Sequence, residues 1–220
     1  GAMRTENAFP AQVAGKFYPG DPGELKEMVR SFIDGAEPKA SSALASRDIV
    51  GVLAPHAGYP YSGPIAGASY RALRDRGYTT VVVMAISHRR GASKIATLDL
   101  PAYVTPLGPV RIDRTSVARL TSDFKEQFYA DEAMFRGEHS LEVQLPFIQV
   151  AMPEASIVPL IVAVDDEALL EKAGGALFDV FGRRSDVAFV VSSDLSHYNP
   201  SDRANALDEE SLGALERFDL

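Results

Sequence analysis

The sequence predicts an α/β domain built on a mostly parallel central sheet with helices on both faces. Three observations carry this. From residue 48 onward, short apolar runs rich in β-branched residues alternate with segments of helical spacing, the pattern of strands joined by crossover helices. The most apolar run, residues 79–86, shows no polar alternation, as expected of a strand covered on both faces. The chain has 220 residues, 46% hydrophobic and 24% charged, which suits one domain with a single large core.

The elements follow in order. Residues 4–20 are an irregular lead-in broken by Pro10, Gly15, Pro19 and Gly20. A helix comes next. Asp21 suits the N-cap, Pro22 the first helical position, and Glu24 stands three residues after the cap. Leu25, Met28, Val29, Phe32 and Ile33 then recur at helical spacing. Residues 35–47, rich in Ala, Ser, Pro and charge, read as a surface linker. Residues 49–54 form a strand that stops at Pro55-His56. Residues 62–76 are helical through Ile65, Ser69, Ala72 and Leu73, with Gly77 as the stop. Residues 79–86 are the central strand. Shorter strands are expected over 94–98, 102–105 and 110–112, divided by Pro101, Pro106, Gly108 and Pro109. Helices are expected over 113–121 and 141–152, the latter kinked or ended early by Pro146. A strand over 156–162, a helix over 166–181, a strand over 187–191 and a helix over 202–218 complete the domain.

Composition excludes several functions. The net charge is −8, with acidic and basic residues interspersed and no Lys/Arg block, so no basic groove for nucleic acid is expected. No apolar stretch reaches the length that crosses a bilayer, and no membrane partner is expected. There is no cysteine, which removes disulfides, thiolate metal sites and a cysteine nucleophile within these residues. Gly1-Ala2-Met3 reads as an expression scar ahead of the native start, so the domain is placed over residues 4–220. No signal peptide follows, and a cytoplasmic location is expected.

The chemistry is concentrated in the four histidines. His56, His88 and His197 each follow an expected strand. In a parallel sheet those strand ends share one edge, where open α/β sheets place their ligands. His139 precedes a helix, and this rule does not place it. Any one histidine after a strand is commonly a surface or hydrogen-bonding residue. Three of the four at strand ends make a functional cluster the better reading, since imidazole supplies a neutral metal ligand or a near-neutral acid/base. The flanks agree. Residues 54–64 combine small residues with Tyr59 and Tyr61. Glycine allows close approach of backbone to a ligand, and tyrosine can stack or hydrogen-bond, although Tyr59 alone reads better as structural. In Glu138-His139-Ser140-Leu141-Glu142 the two carboxylates stand four apart and would share a helical face. A capped helix with a solvated acidic face is an equal alternative. Asp194 precedes His197 by three, a spacing that suits a carboxylate orienting an imidazole; the alternative is an N-cap.

These segments resemble the Memo family, which includes the bacterial AmmeMemoRadiSam system protein B. The matching motifs are Ala14-Gly15-Lys16-Phe17-Tyr18-Pro19, Ala54-Pro55-His56-Ala57-Gly58-Tyr59, Ser87-His88-Arg89, Glu138-His139-Ser140-Leu141-Glu142 and Ser192-Ser193-Asp194-Leu195-Ser196-His197. The family in turn resembles LigB-type (class III) extradiol dioxygenases, which hold Fe(II) with two histidines and a carboxylate. The resemblance implies His56 and His88 as metal ligands. It implies His139 and His197 on the substrate side, with His197 for acid/base work and Asp194 as its partner. Tyr61, Arg89, Glu142 and Ser193 are the expected substrate contacts. The chain departs from the pattern twice. Arg89 stands where some members carry a second histidine, and suits an anionic substrate group. The family's third ligand, a cysteine, belongs to a C-terminal segment that this chain is expected to lack.

The leading expectation is a metal-dependent, dioxygenase-like oxidoreductase acting on a small aromatic or related molecule, with Fe(II) as cofactor and zinc or copper as alternatives at the same nitrogens. The second is a non-catalytic module binding a peptide, an anionic ligand or a partner, working beside AMMECR-type and radical SAM proteins. The third is a metal-assisted hydrolase, weakened as a serine enzyme by the lack of a Gly-x-Ser-x-Gly elbow.

Overall fold

A computed structural model describes residues 7–36, 51–87 and 91–193. Helix α1 (Pro22–Asp34) begins as its capping pattern requires. The Asp21 side chain accepts from the Glu24 N–H, Pro22 opens the first turn, and Leu25, Val29 and Ile33 are buried. From residue 37 the expected linker lies outside the described residues. Strand β1 (Gly51–Pro55) follows. Helix α2 (Tyr59–Leu73) starts earlier than the spacing predicted, with Gly58 as N-cap and Pro60 in the first turn, where a missing N–H goes unused. Gly77 does not cap it; Arg74 does, and Gly77 takes φ +78° in the loop beyond.

Strand β2 (Thr80–Ile86) is buried from Thr80 to Ala85, so the sheet is covered on both faces there. The next three strands, β3 (Ile95–Thr97), β4 (Ala102–Thr105) and β5 (Gly108–Arg111), come where short runs were expected. However, β4 and β5 form a separate two-stranded antiparallel hairpin, with Phe9 of the lead-in bridging β4 at Tyr103. Helix α3 (Arg114–Asp123) is capped by Asp113, whose carboxylate accepts from the Ser116 N–H and Oγ. Strand β6 (Phe128–Ala130) is too short to show a period and was missed by the sequence reading. The helix expected over 141–152 is split into α4 (His139–Glu142) and α5 (Leu145–Ala151). Pro146 has no N–H to give the Glu142 carbonyl, and the helix breaks there. Strand β7 (Ser156–Val162), helix α6 (Glu167–Phe181), capped by Asp166, and strand β8 (Val187–Ser193) complete the described fold. The helix expected over 202–218 lies outside the described residues.

The main sheet has the spatial order β1-β8-β2-β7-β3-β6. Strands β1, β8, β2 and β7 run parallel, and β3 runs antiparallel to β7 while parallel to β6. This is the mostly parallel α/β sheet that the sequence predicts, with an antiparallel margin. No helix among the described residues is long and apolar enough to cross a membrane.

Two helical groups flank the sheet. Helices α1, α2 and α5 pack together, and α3 packs on α6. Contact between α1 and α2 depends on two glycines one turn apart. A Cβ on Gly63 would come within 2.3 Å of the Phe32 ring, and one on Gly67 within 2.1 Å of the Phe32 carbonyl oxygen. Backbone cannot swing aside as a side chain can, so the helices would have to part. Gly67→Ala is therefore expected to cost roughly 1–3 kcal/mol, each kcal/mol being worth about 2–4 °C in Tm at this chain length. An unchanged melting temperature would contradict the close approach.

Candidate functional site

Strands β1, β2 and β8 end at one edge of the sheet, with Pro55 opposite Ser193 and Ala85 opposite Ser192. The His56 N–H donates to the Ser193 carbonyl at 3.1 Å. The ladder thus extends one residue past β1 and fixes the backbone that carries the imidazole. This is the carboxyl edge, where ligands meet open α/β sheets.

Residues 138–144 bind this edge together. Glu138 caps α4: its Oε1 accepts from the Ser140 N–H at 3.2 Å and Oγ at 2.7 Å, and its Oε2 accepts from Ser87 Oγ at 2.9 Å, just beyond β2. The Ser140 carbonyl accepts from Ser192 Oγ on β8 at 2.6 Å. Gln144 Nε2 donates toward the Ala54 and Pro55 carbonyls of β1 at 3.2 and 3.1 Å, and toward Ser192 Oγ at 3.1 Å. Its Oε1 accepts from the Tyr70 hydroxyl of α2 at 2.7 Å, and Tyr59 Oη donates to the Val143 carbonyl at 2.7 Å. Three strand ends and one helix are tied to a single stretch of chain.

These contacts bring two histidines together. His139 opens α4, and its ring centroid lies 5.6 Å from that of His56, nearly perpendicular at 77°. His139 also stacks on Phe17 at 4.3 Å and 20°. The His56 Nδ1 lies 3.1 Å from Ser192 Oγ. Both histidines are half-buried.

Phe17 belongs to the lead-in, which Glu142 holds in place. One Glu142 oxygen accepts from the Val13 N–H at 2.9 Å and the Tyr18 hydroxyl at 2.7 Å. The other accepts from the Gln12 N–H at 2.8 Å and the Tyr103 hydroxyl at 2.9 Å. All four of these partners are neutral donors, and they fill the acceptor capacity of a carboxylate. Burial, the hydrogen bond to Glu142 and its charge push the Tyr18 hydroxyl well above its ordinary range. Tyr103 is raised too, by burial first and then by Glu142. The Phe17 carbonyl also accepts from the Tyr59 N–H at 2.9 Å, which seats the loop against α2.

Glu138 and Glu142 therefore do not form a solvated acidic face. They are 8% and 0% exposed and serve separate networks. Burial alone would push the Glu138 carboxyl up. Hydrogen bonds from the Ser140 and Ser87 hydroxyls and the Ser140 N–H, with the nearby His139, hold it below the ordinary carboxylate range.

Of the expected site residues, His56 and His139 meet at the edge, and Ser193 lies beside His56 through its carbonyl. Tyr61 is 82% exposed on the first turn of α2, with its ring close to Gly58. Glu142 is enclosed and lies behind the lead-in rather than open to solvent. His88, Arg89, Asp194 and His197 lie outside the described residues. Among the described residues no group of three His, Cys, Asp or Glu side chains is set to hold a metal ion. The donor chemistry of His56 does fit a metal, because ligating imidazoles typically bond through their second nitrogen to an orienting group, as Nδ1 does with Ser192. The sequence reading missed Ser192, Gln144 and Phe17. Each lies in or beside a motif, yet only the fold brings serine, amide and phenyl ring to the histidines.

The fold and its histidine-bearing carboxyl edge define an α/β protein with a mostly parallel central sheet, consistent with a LigB-like architecture. A family model described as Memo-like protein matches residues 10–220, and the chain belongs to the Memo family. It is 34% identical over 218 residues to a MEMO1 family protein of Methanopyrus kandleri, covering 94% of this chain and 75% of the relative. It is 34% identical over 215 residues to a MEMO1 family protein of Methanobrevibacter smithii, covering 94% and 76%. With one of Nitrosopumilus maritimus the identity is 32% over 209 residues, covering 94% and 75%.

Two outcomes are expected. In Glu142→Gln an amide NH2 would face two of the present donors, at an expected cost on the order of 1–3 kcal/mol or more, with faster hydrogen exchange at the Val13 amide. Unchanged stability and exchange would contradict the role given to Glu142. For Glu138 the folded pKa lies below the unfolded one. Its contribution is complete above the ordinary value of about 4.3 and is lost as pH falls through the lowered folded value. Glu138→Gln should flatten the acid limb of the stability curve; an unaltered acid limb would contradict this.

Proposed function

We propose that this edge is the core of a metal-dependent, dioxygenase-like site acting on a small aromatic or related molecule. The observation that carries the reading is the approach of His56 and His139, 83 residues apart in sequence, to 5.6 Å between ring centroids at the carboxyl edge. In this reading His56 binds the metal, with His88, two residues after β2 in sequence, as the second ligand. Neutral imidazoles suit Fe(II), and zinc or copper use the same donors. When bound, Fe(II) supplies Lewis acidity and one-electron chemistry. His139 lines the substrate side and holds or moves a proton at its imidazole. His197 shares that work, with Asp194 orienting it and Arg89 and Ser193 facing polar groups of the substrate. Phe17 and Tyr61 offer aromatic faces on which a planar ring can stack. Fold alone does not assign this activity; the paired imidazoles and the anchored Nδ1 of His56 are its support.

A second reading, a binding module working beside AMMECR-type and radical SAM proteins, is favoured by one feature. Tyr61 is 82% exposed and Ile86, at the end of β2, is 48% exposed. Exposed apolar groups are what a docked peptide covers.

Metal analysis of protein prepared without oxygen in the presence of Fe(II) tests the first reading. Stoichiometric iron is expected, and His56→Ala should lose it, the affinity falling by more than the about 10–100-fold that removal of an outer contact typically costs. Oxygen uptake with a panel of catechols should follow the iron content. Iron that is absent, or unaffected by the substitution, would defeat this reading. Partner binding weakened by Tyr61→Ala in the iron-free protein would then favour the second.

A further inference from the structure

The hydrogen bonds behind His56 can be followed proton by proton, because one member of the set has no choice. The Ser140 carbonyl can only accept, and it lies 2.6 Å from Ser192 Oγ. The single hydroxyl proton of Ser192 must occupy that contact. The Gln144 amide is oriented just as firmly. The group facing the Ala54 and Pro55 carbonyls must be the NH2, since both carbonyls are acceptors. That NH2 also points toward Ser192 Oγ at 3.1 Å and brings a proton rather than a lone pair. Tyr70 holds the amide from its other end by donating to Oε1 at 2.7 Å.

Ser192 Oγ, having given its proton away, has only lone pairs to offer His56 Nδ1 at 3.1 Å. A bare nitrogen there would set lone pair against lone pair. We infer that Ser192, oriented by Ser140 and Gln144, is a positioning residue that fixes neutral His56 as the Nδ1–H tautomer, with the basic lone pair on Nε2. Ser192 is 1% exposed and Gln144 also 1%, so water cannot readily substitute for either contact. The backbone that carries the ring is fixed as well, since the His56 main-chain N–H donates to the Ser193 carbonyl. Tautomer and ring orientation are thus set before any ligand arrives, which is how outer contacts commonly prepare an imidazole for a metal or a proton. Gln144, two residues beyond the fourth motif, and Ser192, at the start of the fifth, thus both serve a histidine in the second.

This inference deepens the proposed function and rests on it for its purpose, though not for its test. The test is the long-range 1H–15N correlation spectrum of metal-free, 15N-labelled protein at alkaline pH, with the His56 signals assigned by their loss in His56→Gln. The wild-type protein is expected to show a protonated Nδ1 and a pyridine-like Nε2 at His56. In Ser192→Ala that preference should be lost or reversed, while the ring signals of His139 keep their positions. A wild-type Nε2–H form would overturn the inference, and so would an unchanged tautomer in Ser192→Ala. Should that variant fail to fold, the wild-type spectrum decides alone. Titration of the same proteins with Fe(II) under nitrogen adds a separate readout, an expected loss of about 10–100-fold in affinity on removing Ser192. Wild-type protein that binds no iron but shows the Nδ1–H form would defeat the metal reading and leave the tautomer assignment standing.

Discussion

The described site depends on one constraint: Glu138, Ser140 and Gln144 are buried, and their polar groups find partners at the ends of three strands. Glu138 reaches Ser87 beyond β2, the Ser140 carbonyl reaches Ser192 on β8, and Gln144 reaches the last two residues of β1. A buried polar group without a partner costs about 1–3 kcal/mol. Among the described residues no buried side-chain nitrogen or oxygen lacks one. Satisfying this set leaves little freedom to the segment, and His139 comes to His56 as a result.

The same constraint explains the break at Pro146. A continuous helix from His139 to Ala151 would need an N–H at residue 146 for the Glu142 carbonyl. Proline removes it, and the chain passes through Val143 and Gln144 as a tight turn. That turn carries the Gln144 amide to the carboxyl ends of β1 and β8 and exposes the Val143 carbonyl to Tyr59. Glu142, on the preceding turn, binds the lead-in. Its carboxylate does for residues 12–18 what a sheet would do elsewhere: it satisfies two backbone N–H groups and fixes the loop. Phe17 becomes a wall of the site by that route, so a residue far from His139 in sequence shapes its surroundings.

Much of the architecture was legible in the chain. The unbroken apolar run around Val81–Ala85 announced a strand buried on both faces, and Asp21 caps α1 as its pattern placed it, while Asp113 and Asp166, expected as the first residues of their helices, are the caps just ahead of them. Strand ends placed His56 at the correct edge. His139 escaped that rule because a tertiary network, not a strand, delivers it. The two glutamates were misread in part because burial is invisible in a four-residue spacing, and acidic side chains are seldom enclosed without partners. Strand β6 is three residues long, too short for periodicity, and the Gly63 and Gly67 contact with Phe32 is a matter of helix docking that local sequence does not encode.

The central claim is that residues 138–144 hold the His56 and His139 rings in contact, with Phe17 against His139. Nuclear Overhauser effects between the ring protons of these three residues in the intact, metal-free protein measure it most directly. Cross-peaks linking His56 to His139, and His139 to Phe17, are expected in the wild type. Their absence from a folded protein with assigned ring signals would show that the two imidazoles do not meet, and would contradict the arrangement from which the proposed chemistry follows.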